Sequence, residues 1–167
     1  LPFLTPQARC HFAFSRKPPS MSFPELPAGL ADALSERGYD APTPVQAAVL
    51  EPEAHGRDLV VSAQTGSGKT VAFGLAFAAQ VLGEDGRVRN GAAPSALVIA
   101  PTRELALQVS RELAWLYRQA GARIATCVGG MNASEERRAL RSGATIVVGT
   151  PGRLRDHLER GALDLSA

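Results

Sequence analysis

Hydrophobic and polar positions along this chain alternate between the periodicity of strands and that of helices. Four short apolar segments have strand length, at 59–62, 96–100, 124–128 and 145–149. A stretch with helical spacing follows each of them, beginning near residues 69, 102, 133 and 151. This alternation predicts an α/β fold, with right-handed βαβ units that form a parallel sheet flanked by helices.

Two short helices are predicted before the first of these strands. The first spans 28–37 and ends at Gly38, a residue type that suits the positive φ of a helix C-cap. The second begins at Thr43, which can cap it, and at Pro44, which suits the first helical position, and it runs to about residue 50. Further along, we expect one buried helix from 69 to about 82 and a longer one from 102 to about 119.

The segment 63–70 reads Ala-Gln-Thr-Gly-Ser-Gly-Lys-Thr and lies between a predicted strand and a predicted helix. Gly66 and Gly68 can adopt the positive φ of a tight loop and let backbone N–H groups approach an anion closely. The helix N-terminus and Lys69 add positive charge, and the Thr70 hydroxyl can ligate magnesium. Strand, loop and helix in this order favour a phosphate site over a merely glycine-rich turn.

Two details of this loop bear on that interpretation. Ala63 stands where the general phosphate-loop pattern has its first glycine. Lys69 is the only lysine after Lys17, because the rest of the chain uses arginine. A compact ammonium group suits a phosphate loop as a point charge, whereas a planar guanidinium would not fit the same space.

The segments 101–105 (Pro-Thr-Arg-Glu-Leu) and 150–153 (Thr-Pro-Gly-Arg) are also strand-to-helix junctions. In a parallel sheet all such junctions lie at the carboxyl ends of the strands, where open α/β folds bind ligands. Each has a threonine able to cap a helix and an arginine in the first turn, where a cation opposes the helix dipole. We therefore expect the arginines to bind an external anion such as a phosphodiester backbone, the alternative being ordinary capping with a solvated arginine.

Gln46 is a candidate for recognition of a base. Its side-chain amide can accept from adenine N6 and donate to adenine N7 at once, whereas guanine presents two acceptors at that edge. The alternative is that Gln46 is an ordinary surface residue of a short helix. Tyr39 and Phe23 could stack on a base or pack in the core, and packing is the favoured interpretation for Phe23.

The chain has 167 residues, is 45% apolar and carries a formal net charge of +2, which suits one domain. Residues 21–167 hold 15 basic and 16 acidic residues, so bulk charge does not predict nucleic-acid binding. Cys10 and Cys127 lack metal-ligand spacing, which favours a reduced, cytoplasmic setting. No apolar run approaches the ~20 residues of a membrane-spanning helix, so no membrane partner is expected.

Residues 1–20 differ from the rest of the chain. They contain four prolines and three basic residues but no acid, and they show no clear periodicity. The interpretations left open are a disordered extension, sequence upstream of a true start at Met21, and an organelle transit segment.

Five segments resemble, in order and spacing, the motifs of DEAD-box ATP-dependent RNA helicases. They match the Q motif, motif I, motif Ia, the GG motif and motif Ib, and they are residues 38–46, 63–70, 101–105, 129–130 and 150–153. Phe23 stands near the place of the isolated aromatic upstream of the Q motif. Alanine is usual in that family where Ala63 stands here, so the departure noted above supports the resemblance.

The resemblance implies ATP and Mg²⁺ as cofactors and the RNA sugar-phosphate backbone as a partner that is bound without sequence specificity. Gln46 would read adenine, Lys69 would contact the β and γ phosphates, and Thr70 would hold magnesium, which makes Lys69 and Thr70 the implied catalytic residues. The implied nucleotide-binding set is Tyr39, Gln46, Gln64, Thr65, Gly66, Ser67, Gly68, Lys69 and Thr70. The implied RNA-binding set is Pro101, Thr102, Arg103, Gly129, Gly130, Thr150, Pro151, Gly152 and Arg153.

The family has two RecA-like domains, and residues 21–167 resemble part of the first. The sequence reaches Ala167 before any Asp-Glu-Ala-Asp or Ser-Ala-Thr segment. The resemblance places the corresponding strands between the phosphate-loop strand and the others, so we expect a gap in the sheet. We also expect this chain, without the second domain, to show no RNA-stimulated ATP turnover.

Two other classes of function stay open. One is a protein that binds nucleotide or RNA without hydrolysis. The other is a different phosphate-loop NTPase, such as a DNA helicase or a kinase. Oligomeric state and accessory partners are not predicted.

Overall fold

The computed structural model describes residues 22–89, 91 and 93–166. The predicted extension at 1–20 lies outside these residues. Within them, three strands form one parallel sheet in the order β1-β3-β2: Ala96–Ile99 (β1), Ile124–Cys127 (β2) and Ile146–Gly149 (β3). The predicted parallel sheet is therefore present, and β3 is its central strand.

Helices precede, separate and follow the strands. In chain order they are Ala28–Glu36 (α1), Pro44–Val49 (α2), Lys69–Ala76 (α3), Ala78–Val81 (α4), Arg103–Leu116 (α5), Ala133–Arg141 (α6) and Pro151–Glu159 (α7). A 3-10 helix, Pro52–Ala54, follows α2 and was not predicted.

Apolar side chains of the central strand alternate between two cores, one on each face of the sheet. Ile146 and Val148 belong to the core that includes residues of α1, α3 and α5. Val147 belongs to the smaller core, with Leu140 of α6 and Leu154 of α7. All three β3 residues are fully buried, and each contributes about 1.5–3 kcal/mol of burial free energy. Helices thus cover both faces, as the continuous apolar strands predicted.

The predicted strand at 59–62 is wrong for this structure. Leu59 and Val61 are each 42% exposed, Val60 is 100% exposed, and the segment joins no ladder. An extended segment becomes a strand only when a neighbour accepts its backbone hydrogen bonds, and among the described residues β1 pairs with β3 alone. β1 is therefore an edge strand, and Ile99 is 60% exposed although we expected both faces of this strand to be covered.

Two helices differ from their predicted bounds. The predicted helix from 69 to about 82 is broken at Phe77, whose ring stacks on Tyr117 with a centroid distance of 5.9 Å. Helix α5 ends at Leu116, a little before the predicted end. The predicted caps at Thr43 and Asn132 are confirmed, since each side chain accepts a hydrogen bond from a backbone N–H of its helix.

Candidate functional site

The loop that precedes α3 has the backbone of an anion site. Gly66 and Gly68 have φ values of 80° and 83°, in the left-handed region that favours glycine. Gly68 is the N-cap of α3 and has no side chain, so the first N–H groups of this eight-residue helix have no side-chain cap. These open donors, together with the positive end of the helix dipole, face the loop.

Lys69 lies across the loop rather than in solvent. Its Nζ donates to the carbonyl oxygens of Ala63 and Gln64, both at 2.5 Å. Beside it, the Ser67 hydroxyl is buried and has no hydrogen-bond partner in the part of the chain that the structure describes. Open N–H groups, an unpaired hydroxyl and an ammonium group are the donor set that a phosphate needs, so these residues fit a nucleotide's phosphate groups.

One hydroxyl at the loop, that of Thr70, can ligate magnesium. Thr70 is half-buried in the first turn of α3. The one group of three metal-ligating side chains among the described residues lies elsewhere and consists of Cys127, Glu136 and His157. A Thr hydroxyl at this position suits a magnesium ion that is held mainly by phosphate oxygens.

Helix α2 is joined to the phosphate loop by side chains of its first turn. Thr43 Oγ1 donates to the carbonyl oxygen of Ser67 at 2.9 Å, and Gln46 Nε2 donates to that of Gly68 at 3.4 Å. Gln46 Oε1 accepts from the Thr43 backbone N–H at 2.9 Å, which completes a capping box. The structure therefore brings Gln46 to the loop.

The alternative of a surface glutamine is wrong, because Gln46 is fully buried. Its amide is occupied by protein groups in this conformation, so adenine selection stays a prediction. Tyr39 stacks on Trp115 with ring centroids 5.9 Å apart, so one face of its ring is used in packing. Phe23 packs against the larger core, as we expected.

The junction after β1 is tied to the glycine pair after β2. Thr102 caps α5 by accepting from the Leu105 backbone N–H at 3.2 Å. The Arg103 guanidinium donates from Nη1 to the carbonyl oxygen of Gly129 at 2.5 Å. Gly130 has φ 78°, and a Cβ there would clash with Arg103 Nη1. Three predicted RNA-binding residues are thus brought into direct contact.

The junction after β3 has a different N-terminus. Thr150 makes no side-chain capping hydrogen bond, whereas Thr102 and Asn132 both cap their helices. The exposed Pro151 and Gly152 follow it. The first N–H groups of α7 are therefore open to an external acceptor.

The interpretation of the two first-turn arginines as ligands of an external anion did not include the partners that the fold gives them. Arg103 is held by Gly129, and Arg153 lies with Nε 3.3 Å from Glu136 Oε2 and Nη1 3.6 Å from Asp156 Oδ2. Both guanidinium groups have partners within the protein. The Gly129 carbonyl and the Glu136 carboxylate come from other segments of the chain, and Asp156 lies in the next turn of α7. The sequence pattern did not reveal these pairings.

Sequence reasoning also missed a buried polar cluster beneath the junctions that follow β2 and β3. Glu136 of α6 and His157 of α7 are 4% and 0% exposed, and Glu136 Oε2 lies 2.6 Å from His157 Nε2. Burial, followed by the charge of Glu136, raises the pKa of the adjacent Cys127 thiol to about 12, while Arg153 opposes this shift. A signal existed: Glu136 lies one turn before the buried Leu140, on the apolar side of its helix.

An α/β fold with a glycine-rich phosphate loop at the start of a helix defines the class of phosphate-loop nucleotide-binding proteins. The DEAD/DEAH box helicase family model matches residues 43–166. The chain belongs to this family. The matched range contains the phosphate loop and the junctions after all three strands.

The chain is similar to ATP-dependent RNA helicase DeaD of Klebsiella pneumoniae, with 46% identity over 142 residues, covering 84% of this chain and 21% of that protein. It is 42% identical over 151 residues to the pre-mRNA-splicing ATP-dependent RNA helicase PRP28 of Debaryomyces hansenii, covering 85% and 26%. The chain thus spans about a fifth to a quarter of the length of these curated relatives.

Solved structures show the same family and fold. The RNA helicase Prp28 from Chaetomium thermophilum bound to ADP aligns with TM-score 0.73 and 41% identity, covering 84% of this chain and 34% of that one. A DEAD box protein from the hyperthermophile Methanococcus jannaschii aligns with TM-score 0.73 and 34% identity, covering 87% and 39%. The α/β fold is therefore that of a RecA-like helicase domain.

Proposed function

We propose that this chain carries the ATP site and part of the RNA-backbone site of an ATP-dependent RNA helicase. The observation that carries the proposal is the phosphate loop itself, held on one side by Thr43 and Gln46 and continued by α3 on the other. The names of the similar proteins give ATP-dependent RNA helicase as their activity. Residues 21–167 would then be part of the first of two RecA-like domains.

ATP with Mg²⁺ would supply the phosphoanhydride bond whose hydrolysis drives a helicase. Lys69 would exchange its two carbonyl partners for phosphate oxygens, which is favourable because an ammonium group binds an anion more strongly than a neutral carbonyl. The backbone and side chains of Gln64, Thr65 and Ser67 would line the phosphates, and Thr70 would hold the metal. Lys69 and Thr70 are the residues to which we assign a part in catalysis.

Residues on the α2 side of the phosphate loop would recognise the base. Gln46 and Tyr39 would face adenine, with the Gln46 amide keeping contact with the loop. The support for Gln46 is its position, since its Nε2 lies 3.4 Å from the Gly68 carbonyl oxygen at the start of the helix that receives the phosphates.

RNA binding would rest on backbone groups at the junctions after the strands. The open N-terminus of α7, with Thr150, Pro151 and Gly152, offers N–H donors to a phosphate. Arg103 and Arg153 add positive charge nearby but are already held by protein partners. Contacts of this kind read the sugar-phosphate backbone and carry no base information, so binding would not depend on RNA sequence.

We expect no RNA-stimulated ATP turnover by residues 1–167 alone. Phosphoryl transfer needs groups that position water and stabilise charge in the transition state, and the segments that supply them in the family resemblance are not among residues 1–167. The isolated cysteines support a cytoplasmic location. No described helix has the length and apolar character needed to cross a membrane.

Titration of the 167-residue chain with a fluorescent ATP analogue tests the nucleotide part. We expect saturable binding that Lys69→Ala weakens about tenfold or more, because a charge-assisted contact is removed. Arg57→Ala is the matched control, since Arg57 is an exposed cation outside the loop and should leave affinity unchanged. Equal binding by the Lys69 variant would contradict the phosphate site.

Competition and RNA titration test the remaining parts. Guanosine triphosphate that competes as well as ATP would remove the adenine assignment of Gln46. Single-stranded RNAs of different sequence should bind with similar affinity, which falls as salt rises because phosphate contacts release counterions. Equal affinity at low and high salt would contradict binding through the backbone.

A further inference from the structure

One carboxylate connects three separate parts of the structure beneath the predicted RNA-binding edge. Glu136 Oε1 accepts a hydrogen bond from the backbone N–H of Val128, the residue before Gly129, at 3.2 Å. Glu136 Oε2 lies 2.6 Å from His157 Nε2 and 3.3 Å from Arg153 Nε. The glycine pair after β2 and the first turns of α7 are therefore held by one side chain of α6.

The Glu136 carboxylate is buried, so it needs compensating contacts within the protein. The Glu136 side chain is 3% exposed and the Arg153 side chain 19% exposed. A buried carboxylate is tolerated only when hydrogen bonds and an opposite charge compensate its lost hydration. Val128 follows β2, whereas Arg153 and His157 belong to α7, so the carboxylate makes all three contacts only in one relative placement of α6, α7 and the segment after β2.

The alternative interpretation of this cluster is a metal site, because the ligand atoms of Cys127, Glu136 and His157 lie within 4.8 Å of one another. The structure favours a hydrogen-bonded network instead. Arg153 already brings positive charge to the Glu136 carboxylate, and a second cation would be repelled by it. Both carboxylate oxygens of Glu136 are also already engaged, Oε1 by the Val128 N–H and Oε2 by His157 Nε2.

We propose that Glu136 is a positioning residue that locks the Gly129–Gly130 turn and the first turn of α7 into one RNA-binding surface. The inference rests on the proposed function. Arg103 holds the same turn from the other side through the Gly129 carbonyl oxygen. The turn is thus fixed at Val128 by α6 and at Gly129 by α5. Glu136 extends that restraint to the side chains of α7, in addition to the backbone hydrogen bond from the Thr150 N–H to the Cys127 carbonyl oxygen at 3.0 Å.

Two substitutions separate the reach of the side chain from its charge. Glu136→Asp keeps the charge but is one methylene shorter, about 1.5 Å, so it cannot meet Val128, His157 and Arg153 together. Glu136→Gln keeps the length and an acceptor for Val128, and its amide can donate to His157 Nε2, but it loses the charge beside Arg153. Glu135→Asp is the matched control, because Glu135 is an exposed neighbour in the same helical turn.

The direct readout is the backbone amide spectrum of the isotope-labelled chain, with hydrogen exchange. For Glu136→Asp we expect the amides of Val128 to Gly130 and of Gly152 to Leu154 to shift and to exchange faster together, while those of the phosphate loop stay unchanged. Glu136→Gln and Glu135→Asp should leave both groups near their original positions. Changes confined to one group, or changes of equal size in Glu136→Gln, would overturn the proposal.

Binding measurements give the functional consequence. Glu136→Asp should weaken single-stranded RNA binding about tenfold, equivalent to 1.4 kcal/mol, with nucleotide affinity unchanged. Glu136→Gln should retain most of the RNA affinity of the unaltered chain. Tighter RNA binding in Glu136→Gln alone would mean that Glu136 acts only by repelling phosphate, and loss of nucleotide binding as well as RNA binding in Glu136→Asp would mean a role in overall stability. Either result overturns the proposal. Absence of RNA binding by the unaltered chain counts against the proposed function, and the amide spectra still decide the role of Glu136.

Discussion

The Gln46 side chain lies directly against Gly68, the residue that begins the phosphate-loop helix. Its Nε2 donates to the Gly68 carbonyl oxygen at 3.4 Å, and a Cβ placed on Gly68 would lie 2.5 Å from the same nitrogen. Gly68 is therefore required twice, by its φ of 83° and by the approach of Gln46. Helix α2 and the start of α3 are therefore coupled through this contact.

Gly68→Ala is expected to destabilise the chain by about 1–3 kcal/mol and to weaken nucleotide binding, since it adds backbone strain and displaces Gln46. Thermal unfolding and titration with a fluorescent ATP analogue measure the two effects. Gly56→Ala is the control, because Gly56 has φ 67° but nothing within 4 Å of a Cβ. A loss of stability no larger for Gly68 than for Gly56 would show that the contact with Gln46 is unimportant.

Tyr117→Phe tests the contact between α5 and α3. The buried Tyr117 hydroxyl donates to the Gly74 carbonyl oxygen at 2.6 Å, and its loss should lower the free energy of unfolding by about 1–2 kcal/mol. Denaturant unfolding measures this, with Tyr39→Phe as the half-buried control. Equal effects of the two substitutions would argue against a specific contribution from this hydrogen bond.

Cys127 should be unreactive in the folded chain. Burial raises the pKa of its thiol from an ordinary 9.0 to about 12, so it stays protonated at pH 8 and is shielded from reagents. In a Cys10→Ser variant, thiol labelling at pH 8 should be slow until denaturant is added. Rapid labelling of the folded protein would contradict the buried position of this thiol.

The same shift has a consequence for stability at high pH. Because the folded pKa is above the unfolded one, the folded chain binds this proton more tightly. The stabilisation is complete below pH 9.0 and is lost as pH rises toward about 12. Replacement of Cys127 by Ala should flatten the decline of unfolding free energy in that range, as measured by denaturant unfolding at several pH values.

Val60→Lys should reduce aggregation without loss of folding. Val60 is fully exposed in the unpaired segment 59–62, so the change should alter unfolding free energy by less than about 0.5 kcal/mol. Light scattering during concentration measures the effect. Val148→Lys is the contrast, because Val148 is fully buried in the central strand and a charge there should prevent folding. Unchanged scattering for the Val60 variant would exclude this segment as the cause of association.

The amino-acid sequence determined the elements whose cause is local. Strands at 96–100, 124–128 and 145–149, the capping residues Thr43 and Asn132, and the glycine-rich loop all follow from periodicity, side-chain chemistry and backbone freedom. The family motifs could be read for the same reason. Each is a short segment whose residues are neighbours in the sequence.

Only the tertiary structure decided which segments meet. The segment 59–62 has the composition of a strand, yet it is exposed, because pairing depends on a neighbouring strand and not on propensity. The sequence pattern predicted that Arg103 and Arg153 bind an external anion. It did not predict that the fold would place Gly129 beside Arg103 and Glu136 beside Arg153. Glu136 and His157 are 21 residues apart in sequence, and they form one buried pair because α6 and α7 pack on the same face of the sheet.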